Sequence, residues 1–294
     1  MPFTPKRLLE AVPIYLLYGI FSLLPVELTS FLGGWLLRRI GPHLAIHQVA
    51  LSNLQLALPE LAAQHQQIAR DMWDNLGRTM GEYPHLGTLR QPKYLEIIGG
   101  EHVQAAVESD KTAIYFSGHL ANWEIPSLAV KVSGQELALI YRQPNNRLVD
   151  RLLRHARLPV TRTLTPKGSE GAKNLLKMIR DRRPIGLLVD QKMNDGVAVP
   201  FFGHPAMTAP AIASLVQRFD LKLHPVQTER LQGPHFRVTI YPELVLNQDR
   251  MDTMIQINQL LETWIRQNPA QWLWVHRRWP DQISEVRLES PSDI

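Results

Sequence analysis

A histidine followed five residues later by a carboxylate can do acid–base chemistry. The imidazole exchanges a proton near neutral pH, and the carboxylate orients the ring and stabilises its charged form. The 294-residue sequence holds three such pairs, His119/Glu124, His224/Glu229 and His276/Asp281. With 11 histidines and 27 acidic residues in the chain, about one such pair is expected by chance, so spacing alone selects none of them. Local context does. His224 falls in the strand-like run KLHPVQ, where an offset of five sends two side chains to opposite faces. His276 is separated from Asp281 by two arginines, a tryptophan and Pro280. His119 alone sits on a glycine-containing turn, in SGHLANWE, between a β-rich run and a helical one. With Asn122 as the helix N-cap, Glu124 falls in the first turn. There the helix dipole favours an ionised carboxylate that can hold His119, and the imidazole becomes a competent general base for an alcohol; the plain alternative is a helix-capping glutamate beside a loop histidine.

The absence of other machinery narrows the chemistry. The chain has no cysteine, which excludes a thiol nucleophile, a thiolate metal site and a disulfide scaffold. No GxSxG elbow and no HExxH pattern occur, so a covalent acyl-serine and a zincin site both lack their usual carriers. A metal hydrolase built on His119, His204 or His235 is the enzymatic alternative. A net charge of +5 with 45% hydrophobic and 20% charged residues describes a globular protein with ample core, suited to an anionic partner such as a lipid surface, an acidic protein, a phosphorylated substrate or nucleic acid.

Elements that position this chemistry can be read from periodicity. Short β-rich runs at Thr112–Ser117, Glu136–Tyr141, Ile185–Asp190, Lys222–Gln227 and Phe236–Tyr241 alternate with helical stretches near 122–132, 146–157, 169–182 and 209–219. That alternation predicts an α/β sheet with its site at the strand C-termini. Asp190 ends what reads as a buried central strand, so it points into a site or pairs with a cation. A last helix spans about 250–267, and residues 43–88 read as helix divided by Pro59, with Asn75 and Arg78 taken as solvated side chains.

The N-terminus differs from the rest. Ala11–Val26 is an uncharged run of 16 residues, just under the roughly 17–25 of a spanning helix. Pro25 and Glu27 favour a break, while a tilted span through Leu37 is the alternative. Lys6, Arg7, Arg38 and Arg39 flank the run and suit anionic headgroups. The apolar character persists past any point of signal cleavage, so residues 1–40 are expected to be a membrane anchor or interfacial helix, leaving 41–294 as a helical lead-in and an α/β domain.

Five motifs in order carry a family resemblance: SGHLANWE, YRQPNN with Arg142 and Asn145, Asp190-Gln191, PFFGHPA and WLWVHRRW. Together with NLQLALPEL, NLGRTMGEY and the apolar N-terminus, they resemble the late acyltransferases of lipid A biosynthesis, within the wider lysophospholipid acyltransferase group. The resemblance implies an acyltransferase-type central sheet flanked by helices. It also implies transfer of a fatty acyl chain from acyl carrier protein to a hydroxyl of a lipid A precursor, at the cytoplasmic face of a bacterial inner membrane. His119 would be the general base, oriented by Glu124. Asn122, Arg142, Asp190, Gln191, Phe201, Phe202 and Gly203 would bind substrate, with Arg142 on a phosphate or the oxyanion and the Phe-Phe-Gly segment as an apolar wall for the acyl chain. No metal, no other cofactor and no nucleic acid is implied. The alternative is another membrane-bound lysophospholipid or glycolipid O-acyltransferase using acyl-coenzyme A. Arg277 and Arg278, among Trp274 and Trp279, suit either a headgroup interface or a cation–π core.

Overall fold

The computed structural model describes residues 5–246 and 249–279. Its apolar N-terminus forms two helices, α1 (Pro5–Ser22) and α2 (Val26–Ile40). The break between them falls where Pro25 disfavours helix in the residue before it. None of the described helices is long and apolar enough to cross a membrane; the chain breaks near Pro25, as favoured, and the alternative of a tilted span through Leu37 is not formed. Instead α2 packs on α4 (His65–Glu82) with the two backbones in near contact. A Cβ on Gly33 would lie 2.2 Å from the Gly77 carbonyl oxygen, and one on Gly77 would lie 2.1 Å from that of Gly33. Only glycine permits this approach. As Pro59 foretold, the 43–88 segment is divided: α3 (His47–Ala57), a 3₁₀ stretch (Pro59–Gln64) and then α4.

The central sheet has seven strands, in the order β1 (Leu95–Ile98), β9 (His235–Ile240), β8 (Lys222–Gln232), β2 (Ala113–Ser117), β5 (Ile185–Leu188), β3 (Ala138–Tyr141) and β4 (Leu164–Pro166). All neighbours are parallel except β8 and β9. Strand β2 is buried along its whole length. Ile114 and Phe116 enter one hydrophobic cluster, whereas Ala113 and Tyr115 enter the other, which is why the run is continuously apolar rather than alternating. Helices α5 (Gly100–Val107), α6 (Ile125–Val132), α7 (Arg147–Ala156), α8 (Ser169–Arg180), α9 (Ala211–Phe219) and α10 (Arg250–Gln267) complete the fold. A separate antiparallel hairpin joins β6 (Val197–Phe201) to β7 (His204–Thr208). Its two loop residues, Phe202 and Gly203, both have positive φ, 51° and 74°, as a tight primed hairpin turn requires.

Candidate active site

Parallel pairing of β2 and β5 decides where the histidine goes. Ser117 lies opposite Leu188 in the register, so the residues two positions beyond each strand, His119 and Asp190, emerge side by side at the C-terminal edge of the sheet. The His119 Nδ1 is 2.7 Å from Asp190 Oδ1, and the His119 backbone N–H donates to Oδ2 at 2.7 Å. The Trp272 indole N–H also donates to Oδ2, at 2.7 Å. Burial opposes ionisation of Asp190, but the charge and hydrogen bonds of His119, with the bond from Trp272, overcome it and hold the carboxyl well below the usual carboxylate range. An ionised Asp190 fixes the tautomer: Nδ1 carries the proton and donates, leaving the lone pair on Nε2.

Glu124, the expected partner of His119, is engaged elsewhere. Arg157 donates to it through Nε, at 2.9 and 3.0 Å, and through Nη2 at 2.6 Å, while the Tyr83 hydroxyl donates at 2.9 Å. The helix begins two residues later than expected. Glu124 itself occupies the N-cap position of α6, and Asn122, expected there, instead accepts the Glu124 backbone N–H on its side-chain oxygen at 3.1 Å. A β-strand neighbour thus supplies the orienting carboxylate, because the turn from 118 to 124 carries Glu124 toward α7 and the 3₁₀ turn at Tyr83.

His119 and Glu124 nevertheless line one cleft, together with Trp123, Arg142, Lys167 and Gln191. Leu137, Leu139, Val130, Leu153 and Val226 supply apolar lining. Ser117 also lines the cleft, and its buried hydroxyl has no hydrogen-bond partner among the described residues. The Gln191 amide nitrogen sits 3.2 Å from His119 Nε2 and 3.3 Å from His276 Nε2, so one amide bridges two imidazoles. Burial, followed by the nearby His119, pushes the His276 pKa below its ordinary value. Gln191 and Arg142, expected to bind substrate, both line the cleft. Phe201 and Phe202 do not line the cleft. They pack in the core against Trp272, Trp274 and Trp279, and Gly203 serves the hairpin turn. Arg278 is fully buried, 5.1 Å above the Phe201 ring, and donates to the Met207 carbonyl and the Thr208 hydroxyl at 2.8 Å. The cation–π core reading of that arginine is the one observed.

Of the other two pairs, His224 is a strand histidine stacked on Tyr115 with 5.3 Å between ring centres, and Glu229 accepts from Asn268. Asp281 lies outside the described residues. Among the described residues no cluster of histidine and acidic side chains could hold a metal ion.

Sequence reasoning missed the support beneath the turn. Ala121 has φ of 49°, a left-handed conformation that costs a non-glycine residue about 1–2 kcal/mol. Its carbonyl accepts from Asn75 Nδ2 and lies within 3.0 Å of the Thr79 hydroxyl, and its N–H donates to Gln271 at 2.8 Å. Asn75, read from sequence as solvated, is buried. Its helical spacing carries no sign of a partner 46 residues away.

Comparison with known proteins identifies the family of the chain. The family described as bacterial lipid A biosynthesis acyltransferase matches residues 9–281. A lipid A biosynthesis acyltransferase of Haemophilus influenzae is 25% identical over 260 residues, covering 85% of this chain and 79% of that protein. A phosphatidylinositol mannoside acyltransferase of Mycolicibacterium smegmatis is 23% identical over 203 residues, covering 67% of this chain and 66% of the relative.

Proposed function

We infer that this chain, which belongs to the bacterial lipid A biosynthesis acyltransferase family, moves a fatty acyl chain from the thioester of acyl carrier protein to a hydroxyl of a lipid A precursor, with His119 as general base. The observation that carries this reading is the His119–Asp190 pair, whose His119 lines a cleft of mixed polar and apolar residues. With Nδ1 tied to a carboxylate, the ring's lone pair lies on Nε2, where the acceptor hydroxyl takes the place of the Gln191 amide and gives up its proton. The acceptor oxygen then attacks the thioester carbonyl, a C–O bond forms, the C–S bond breaks, and the imidazolium returns its proton to the departing thiolate. Gln191, beside Nε2, and the unpartnered hydroxyl of Ser117 are donors available to the carbonyl oxygen as charge develops. Arg142 and Lys167, at the cleft rim, suit a phosphate of donor or acceptor. Direct transfer is favoured because the sequence offers neither a cysteine nor a GxSxG serine as acyl carrier.

We place the chain at the cytoplasmic face of the inner membrane, and the α1–α2 pair supports the attachment to lipid that this requires. Leu9, Leu16, Ile20, Leu23, Phe31 and Trp35 are exposed there, and Arg38 and Arg39 close α2. This combination suits helices lying in the headgroup region. Helix α1 abuts α7, where the Tyr15 hydroxyl donates to the Leu148 carbonyl at 2.9 Å, and α7 contributes Leu153 to the cleft. A lipid-borne acceptor would thus meet the site from the membrane side.

The test is a defined reaction with purified protein, acyl carrier protein or coenzyme A as donor, and a lipid A precursor as acceptor. Gain of one ester-linked acyl chain, with the carrier-protein donor preferred, is the expected result. The mycobacterial relative favours one other acceptor. Acylation of a mannosylated phosphatidylinositol, with none of the lipid A precursor, would assign the chain to that substrate class instead.

A further inference from the structure

We propose that Glu82 is a positioning residue that fastens the turn bearing His119 to helices α2 and α4. The inference rests on His119 being the base. Glu82 is the last residue of α4 and is wholly buried, and each of its oxygens receives two donors. Oε1 accepts from the Ser30 hydroxyl of α2 at 2.7 Å and from Arg230 Nη1, whereas Oε2 accepts from Asn122 Nδ2 at 2.9 Å and from Arg230 Nη2 at 3.2 Å. The lone pairs of the carboxylate are therefore filled by three separate parts of the chain: α2, β8 and the turn. A buried carboxylate so fully satisfied holds its donors to one geometry.

The same guanidinium continues the chain of contacts. Arg230 Nε donates to Asn75 Oδ1 at 2.8 Å, and Asn75 Nδ2 in turn donates to the carbonyl of Ala121 at 3.0 Å. Glu82 thus reaches the turn twice, directly at Asn122 and through Arg230 and Asn75 at Ala121. Ala121, left-handed at φ 49°, is the residue most ready to relax if those contacts go. Two residues before it stands His119, whose backbone and ring both address Asp190. Relaxation of the turn would move the imidazole against its carboxylate, and a displacement of about 1 Å in such a group can cost roughly 10²-fold in rate. Nothing in the network lines the cleft except through the turn it holds, so its effect should fall on kcat rather than on acceptor binding.

The test compares Glu82→Gln and the gentler Thr79→Val with wild type, measuring kcat and KM per folded molecule, the folded fraction being taken from a thermal melt at the assay temperature. A Leu95→Ala variant serves as a control destabilised at the sheet edge away from the turn. The expected result is a fall in kcat of about 10- to 10²-fold for Glu82→Gln and about 3- to 10-fold for Thr79→Val, with KM within about threefold and Leu95→Ala unchanged per folded molecule. Adding Ala121→Gly should restore part of the lost kcat, since glycine holds the left-handed conformation without strain. Wild-type kcat per folded molecule in both network variants, with His119→Ala inactive, would overturn the positioning role and leave the general base standing. Full activity in His119→Ala would instead remove the premise. Should Glu82→Gln fail to fold, Thr79→Val with and without Ala121→Gly decides the matter alone.

Discussion

His119 and Asp190 are 71 residues apart in sequence and 2.7 Å apart in space, brought together because each stands two residues beyond adjacent parallel strands in register. The carboxylate that orients the imidazole therefore comes from the neighbouring strand, and the carboxylate five residues away, Glu124, is spent on Arg157 and Tyr83.

Exchange of Asp190 for asparagine should accordingly be the severe substitution. Without the anionic acceptor at Nδ1, the ring loses its preferred tautomer, and kcat should fall by about 10³- to 10⁴-fold while the Trp272 bond keeps the site folded. Steady-state kinetics of Asp190→Asn and Glu124→Gln side by side check this. A larger loss of kcat per folded molecule in Glu124→Gln would return the orienting role to Glu124.

Glu124 and Arg157 should matter chiefly for stability. Both side chains are largely buried, 3% and 14% exposed, and removing one partner of a buried pair leaves a charge without compensation, at about 3–5 kcal/mol. Arg157→Met should lower the urea midpoint correspondingly, and the double change Glu124→Gln with Arg157→Met should cost less than the sum of the two singles. Additive losses would show that the pair is not coupled.

The division between what sequence did and did not reveal follows from the range of the forces involved. Strand β2, α10 and the Pro59 break are written in local periodicity and punctuation, and they appear where periodicity placed them. Asp190 was recognisable as a carboxylate that points into a site or pairs with a cation, because a charge at the end of an apolar strand is conspicuous. Its partner was not, since strand order is set by pairing across the sheet. Short strands β1 and β4 and the β6–β7 hairpin carry too few residues for a period to stand out. The Phe201–Phe202 pair illustrates the opposite error: a conspicuous aromatic motif that fills the core among Trp272, Trp274 and Trp279. Glu82, Asn75 and Arg230 were invisible as a group, because their spacing along the chain has no relation to their contacts.

Acid should weaken the fold through its buried histidines. Burial lowers the pKa of His224 and of His276 below the ordinary value of 6.5. The unfolded chain then binds more protons than the native state below about pH 6.5, so stability is complete above that pH and is lost as pH falls toward the folded-state values. Melting temperatures measured between pH 7.5 and 5.5 should decline, and His224→Phe, which keeps the stack on Tyr115, should flatten part of the decline. A slope unaltered by that substitution would place the titration elsewhere.

Attachment to lipid should depend on the exposed face of α1 and α2. Replacing Leu16 and Leu23, 62% and 85% exposed, by glutamate sets like charge against anionic headgroups and removes apolar area. Co-sedimentation with vesicles containing anionic lipid should drop at least about tenfold, with activity on detergent-dispersed acceptor unchanged. Undiminished sedimentation would mean that another surface docks.

The most direct measurement of all is the mass of the acceptor after reaction with wild-type protein and with His119→Ala, each supplied with acyl carrier protein donor and a lipid A precursor. The predicted result is one added acyl chain with wild type and a rate lower by about 10²- to 10⁴-fold with His119→Ala, the variant retaining the wild-type melt. Acyl gain by His119→Ala within about tenfold of wild type would contradict a general base at His119, and an acceptor that gains no mass with wild type would contradict the assigned substrate.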